Sequence, residues 1–157
     1  MTAEIDTKAI SLKVLKGSYY LLSKDLEFLP EEAFTQSFGP ACRTVADIIY
    51  EVNMVNDREG RTIRREEQLP WPEGWVKAPV DFRSKETVIA AFTHSMDRVI
   101  ATVEGYSEED MLAPIQNGEG GETNRFERCR FVALHNWYHS GQLNFIQTLL
   151  GDDAWHW

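Results

Sequence analysis

Residues 135–142 read HNWYHSGQ, and two of them, His135 and His139, stand four apart. On a helix that spacing stacks two imidazoles on one face, where both can reach a common point. Zinc helices of the HExxH type use the same spacing, with a glutamate after the first histidine as general base. Here Asn136 holds that place, so the pair offers ligands without the base. Gln142 lies on the same strip, about one turn beyond His139. At about 100° per residue, Phe131, Val132, Tyr138, Leu143, Ile146, Leu149 and Leu150 fall within roughly 80° of His135. This predicts that His135 lies near the middle of the buried face, with His139 and Gln142 on the same strip. Burying a polar group without a partner costs about 1–3 kcal/mol. The three side chains therefore need partners, and either a metal ion or a metal-free hydrogen-bonded core satisfies that need.

A metal needs at least a third ligand. His94 is placed opposite Phe92 on its helix and is expected to face solvent, and His156, in the tail AWHW, reads as surface or tail packing. The best remaining candidate is Glu51, at the edge of an apolar stripe between Ile48 and Val55, with Arg58 on the same side two turns on. A plain solvated glutamate is the alternative for such a position. Asp47, one turn earlier, points further from the stripe. Cys129 is placed about 120° from His135 and reads as a buried structural cysteine. With Cys42 as its only companion and no CxxC, neither a disulfide framework nor a zinc ribbon is expected.

Four helices are predicted to carry these residues. Leu12, Leu15, Tyr19, Leu22, Leu26 and Leu29 recur at spacings of three and four, a seam along residues 7–29 that Pro30 ends. A second helix opens at TVAD, where Thr44 and Asp47 form a capping-box pattern, and its stripe is Val45, Ile48, Ile49, Val52 and Val55, running to about Ile63. The connection LPWPEGWVKAP excludes regular helix, and Trp71 and Trp75 are expected to pack it onto the bundle. Ser84 caps a third helix bearing Val88, Phe92, Val99 and Val103, and residues 105–124 read as a loop. The last helix runs from near Arg125 to about Leu150, where Gly151 stops it. The pattern is all-α, a four-helix bundle in a single domain spanning 1–157. The link between helices two and three is long enough to cross the bundle, which allows those helices to run parallel rather than as a hairpin.

The composition narrows the function classes. Of 157 residues, 43% are hydrophobic and 26% charged, as in a globular protein. The net charge of −9 argues against nucleic acid, because phosphate binding needs a basic patch. The basic run in RTIRREEQ is offset by its glutamates. The apolar runs are too short to span a membrane. MTAEIDTKAIS has no basic start or apolar core of a secretory signal, so a cytoplasmic location with reduced thiols is expected.

The chain resembles the DinB/YfiT-like metal-binding four-helix bundles, a superfamily that includes bacterial thiol-dependent transferases. The likeness spans essentially the whole chain. It is carried by HNWYHSGQ, similar to the family's HxxxHxGQ, by TVADIIYEVN on the second helix, and by the tail LLGDDAWHW. It implies one divalent metal on three side chains, one from the second helix and two from the last: Glu51, His135 and His139. The second-helix position is usually histidine, so Glu51 is a departure. Carboxylate and imidazole both bind zinc, nickel or iron, and His₂Glu is a known ligand set. The resemblance further implies that Gln142 neighbours the ligands and that the protein is a homodimer; Arg58 and Tyr138 are candidates to line the pocket mouth and hold a carboxylate, with structural roles for both as the alternative. It points to a low-molecular-weight thiol cosubstrate, such as mycothiol or bacillithiol, and to transfer onto a small electrophile. The competing expectation is a stress-associated binding or interaction protein with the same fold and no turnover.

Overall fold

Leu15, Leu22, Leu26 and Leu29 are at most 1% exposed, so the leucine seam of the first helix is the spine of the core. The structure is a computed structural model and describes residues 5–118 and 120–157. Its helices are α1 (Thr7–Phe28), α2 (Val45–Arg64), α3 (Lys85–Glu104), the short α4 (Glu108–Leu112) and α5 (Arg125–Leu149). Short strands β1 (Ile115–Gln116) and β2 (Glu122–Thr123) pair antiparallel in the α4–α5 connection. The segment expected to be a plain loop thus holds one helical turn and a small hairpin. Ser107 and Asp110 cap that turn reciprocally. No helix among the described residues is long and apolar enough to cross a membrane.

Local chemistry sets the helix ends. Thr44 and Asp47 form the capping box of α2, and Asp47 reaches further: its Oδ1 accepts from the Ala78 amide at 2.8 Å and faces Arg83 at 3.6 Å. One carboxylate thereby starts α2 and ties down the crossover. Ser84 and Asn124 cap α3 and α5, and Gly151 follows α5 with φ 86°, a left-handed conformation that suits glycine.

The side-chain pairings give the topology. Along α2 and α3 the partners are Asn53 with Ser95, Asp57 with Arg98 and Arg64 with Thr102, rising together. These helices therefore run parallel, joined by the long 65–84 crossover. Ser18 with Asn136 and Asp25 with Asn144 make α1 parallel to α5. Glu51 near His139 and Ile63 bonded by Arg125 make α2 antiparallel to α5. The result is an all-α bundle in which α1 packs on α5 and α3, and α2 on α5 and α3.

Two expectations are corrected. Trp71 and Trp75 do not anchor the crossover by burial, being 40% and 71% exposed; Val76 and Ala78 are its buried residues. The small side chains fit under the loop, while Trp75 lies flat beneath the Arg43 guanidinium, 4.7 Å from its ring centroid. On α5, the buried face is Cys129, Val132, Ala133, Asn136, His139, Ser140 and Leu143. Phe131, Tyr138 and Leu149 are exposed, so His135 stands at the border of that face and not at its centre. The reason is packing against α1, whose facing residues include Ser11, Ser18 and Asp25, all buried. Small and polar α5 residues meet them closely, and the aromatic ones, Phe131, Trp137, Tyr138 and Phe145, are turned outward.

Candidate metal centre

Glu51 lies seven residues into the second helix, on a turn bounded by the buried Ile48, Val52 and Val55. The antiparallel α2–α5 packing sets it opposite the two histidines. Among the described residues, Glu51, His135 and His139 form the one His/Cys/Asp/Glu group able to hold a metal ion, each with a ligand atom within 4.8 Å of the others. The two Nε2 atoms are 3.1 Å apart, and Glu51 Oε1 is 3.7 Å from that of His135 and 3.9 Å from that of His139.

Hydrogen bonding decides which nitrogen faces the cluster. His139 Nδ1 is 2.8 Å from Gln142 Oε1. An amide oxygen only accepts, so Nδ1 carries the proton and the neutral ring turns its Nε2 lone pair toward the cluster. Burial, together with the charge of Arg43, takes the His139 pKa down to about 4. Burial, then His139 and Arg43, takes that of His135 down to about 3. Both rings are therefore neutral near pH 7, as ligation requires. His135 Nδ1 is buried and has no hydrogen-bond partner among the described residues, so no acceptor there holds His135 in the tautomer that frees its Nε2 for a metal.

Arg43 is the residue that the sequence did not reveal. Its guanidinium pairs with Glu51 Oε2, which leaves Oε1 for the histidines. Burial lowers its pKa, against the opposing pull of Tyr138 and Asp47. Arg43 precedes the α2 cap residue Thr44, where no helical period applies, so no spacing could have placed it. Asp47 is occupied by capping and by the crossover, and His156 stacks on Phe28 with centroids 4.0 Å apart. His94 is exposed, and Cys129 is buried with its thiol pKa pushed up to about 12 by desolvation.

A cleft of about 510 Å³ adjoins the cluster, lined by Phe38, Trp75, Tyr138 and Phe145 beside Cys42, Arg43 and Gln142. Tyr138 and Gln142 thus border both the histidines and the cleft. Arg58 does not: it lines a separate cleft between α2 and α3. Two turns along α2 carry it past the cluster, because the helix turns its side chain toward α3 there.

A parallel-crossover helical bundle that brings two imidazoles and one carboxylate together defines an all-α scaffold with a candidate mononuclear metal centre. The chain belongs to the DinB superfamily, whose family model matches residues 15–143. No curated protein matches the sequence. Solved structures do. A DinB-like protein from Bacillus cereus superposes with TM-score 0.72 at 13% identity, covering 90% of this chain and 91% of that one. A conserved protein from Enterococcus faecalis gives TM-score 0.70 at 13% identity, covering 95% of this chain and 100% of that one. A mycothiol-dependent maleylpyruvate isomerase gives TM-score 0.63 at 14% identity over 87% of this chain but only 60% of its own. At these identities the likeness concerns the fold.

Proposed function

We propose that the protein holds one divalent metal ion on Glu51, His135 and His139 and uses it in thiol-dependent transfer onto a small electrophile. The observation that carries this reading is the convergence of three donor atoms within 4.8 Å across two helices distant in sequence. The donor set fits such an ion: two neutral imidazoles and a carboxylate suit zinc or nickel, and also iron. The fold likeness to a mycothiol-dependent isomerase supports a thiol as cosubstrate.

When bound, a divalent ion lowers the pKa of a thiol, so that the nucleophilic thiolate exists at neutral pH. The chain's own residues do the rest. Gln142 holds the His139 ring in the ligating tautomer. Arg43 takes one oxygen of Glu51, orients the other, and offsets the carboxylate's charge. Phe38, Trp75, Tyr138 and Phe145 give the cleft apolar walls against which an electrophile's carbon body lies. Cys129, buried and with a raised pKa, is not the nucleophile.

Protein purified without a His-tag is expected to carry about one equivalent of metal, and Glu51→Ala or His139→Ala to lose it. A preparation that takes up neither zinc, nickel nor iron overturns the reading. Turnover is tested with a panel of low-molecular-weight thiols and chlorodinitrobenzene, the expected result being a rate that a chelator abolishes. One observation favours a second reading, a binding protein with a metal-free polar core: the 3.1 Å separation of the histidine Nε2 atoms is itself hydrogen-bond distance. Full metal occupancy excludes that core, and metal binding without turnover by any thiol leaves a binding protein.

A further inference from the structure

From residue 131 to residue 151 the chain carries no Asp, Glu, Lys or Arg, although 26% of all its residues are charged. That segment is most of α5, and only one side of the helix is packed into the bundle. Phe131, Leu134, Tyr138, Phe145 and Leu149 are 43–64% exposed. At about 100° per residue they fall within roughly 60° of one another, with Gly141 at the edge of the same face. Tyr138, Phe145 and Leu149 also border the cleft beside the histidines, but Phe131 and Leu134 do not. The cleft therefore does not account for the stripe.

Glycine inside a helix costs stability relative to alanine. A Cβ at Gly141 would meet nothing within 4 Å, so no contact among the described residues calls for glycine there. A second helix crossing that point would, because small residues let two helix backbones approach. The order of side chains is also symmetric. Leu134 and Leu149, and likewise Tyr138 and Phe145, stand equally far on either side of the midpoint between residues 141 and 142. A two-fold interface demands such self-complementarity. An uncharged stripe offers nothing to a charged partner, and it brings no like charges together against its own copy. Three aromatic side chains of about 150–250 Å² each, with two leucines about half exposed, leave roughly 500 Å² open per copy. Two copies then bury roughly 1,000 Å², the level at which a specific interface begins, before flanking residues such as Trp137 are counted.

We propose that the outer face of α5 is a two-fold interface between two copies of this chain. The two helices run antiparallel, with the axis passing between residues 141 and 142. Leu134 then lies against the partner's Leu149, Tyr138 against the partner's Phe145, and Gly141 lets the backbones close together at the axis.

Sedimentation velocity on the full-length protein is expected to show a dimer at about 10 µM, a concentration at which a micromolar Kd already favours association. Leu134→Glu, outside both the metal cluster and the cleft, is expected to weaken the dimer by roughly tenfold or more while the circular dichroism stays helical. Gly141→Leu, whose side chain meets open space in a single copy, is expected to weaken it too without lowering the helix content. Val80→Glu, on an equally exposed apolar residue of the crossover, leaves the dimer as it is. The register is read in a Cys42→Ser background: Leu134→Cys mixed with Leu149→Cys is joined by a short bis-maleimide, and neither variant is joined to itself. The dimer should persist in chelator, which separates this interface from the metal reading. A monomer at about 100 µM overturns the proposal, whether or not it then binds lipid vesicles or another protein through this face. So do folded Leu134→Glu and Gly141→Leu variants that associate as wild type does, or cross-linking of each cysteine variant to itself in place of the mixed pair.

Discussion

His139 has both ring nitrogens committed, Nδ1 to Gln142 and Nε2 to the cluster, whereas His135 has only its Nε2 engaged. Among the described residues, Gln142 is therefore the one side chain outside the cluster that fixes a ligand's tautomer. Gln142→Leu is expected to weaken metal binding by about 10–100-fold, and Gln142→Glu, which keeps the acceptor, to weaken it far less. Competition against a chromogenic chelator measures both. The lowered histidine pKa values have their own consequence in metal-free protein. As pH falls from about 6.5, the ordinary value, toward the native values of about 4 and 3, the unfolded chain takes up protons that the native chain refuses. The pair is neutral to stability above that range and increasingly destabilising within it. Urea unfolding at pH 7 and pH 5 is expected to show a larger acid loss for wild type than for the double variant His135→Gln, His139→Gln. Equal losses contradict the assigned shifts.

The elements were legible in proportion to how sharply their patterns were bounded. Pro30, Thr44, Ser84 and Gly151 mark ends that the structure reproduces to within a residue or two, because caps and breakers act locally. The α5 face was misjudged because that helix is apolar on both sides, so the period alone could not tell core from surface. Its partner α1 decided, by presenting serines and an aspartate. A second long-range device is the start of α1: Glu108, on α4, accepts from the Thr7 and Lys8 amides at 2.7 Å each. The Thr7 hydroxyl, which donates to the same carboxylate, together with these amide bonds holds the Glu108 carboxyl down to about 2, from an ordinary 4.5. Its contribution is full above pH 4.5 and is lost as pH falls toward 2. Glu108→Ala is expected to lower the thermal midpoint at neutral pH, with the difference from wild type shrinking through that window. A pH-independent difference would assign the loss to something other than the cap.

At the scale of the molecule, the candidate centre joins α2 to α5, neighbours in the bundle but separated in sequence by the crossover, α3 and the hairpin segment. An ion held by both helices binds the folded state alone and stabilises it by mass action, about 4 kcal/mol when its free concentration is a thousand times its Kd. Added zinc or nickel is expected to raise the thermal midpoint of wild type, and to leave that of Glu51→Ala unmoved. An equal rise in both would place the bound metal elsewhere.

The sequence by itself determined the four long helices and the stacked pair His135 and His139, because caps, breakers and i,i+4 spacing are properties of neighbouring residues; it allowed a parallel crossover and offered Glu51 as the third candidate ligand without fixing either. Only the tertiary structure decided that Arg43 holds Glu51, that Arg58 serves another cleft, and that Asn136 rather than His135 points into the core. Each of these depends on which face of one helix meets which face of another, and that choice is made by packing between segments far apart in the chain.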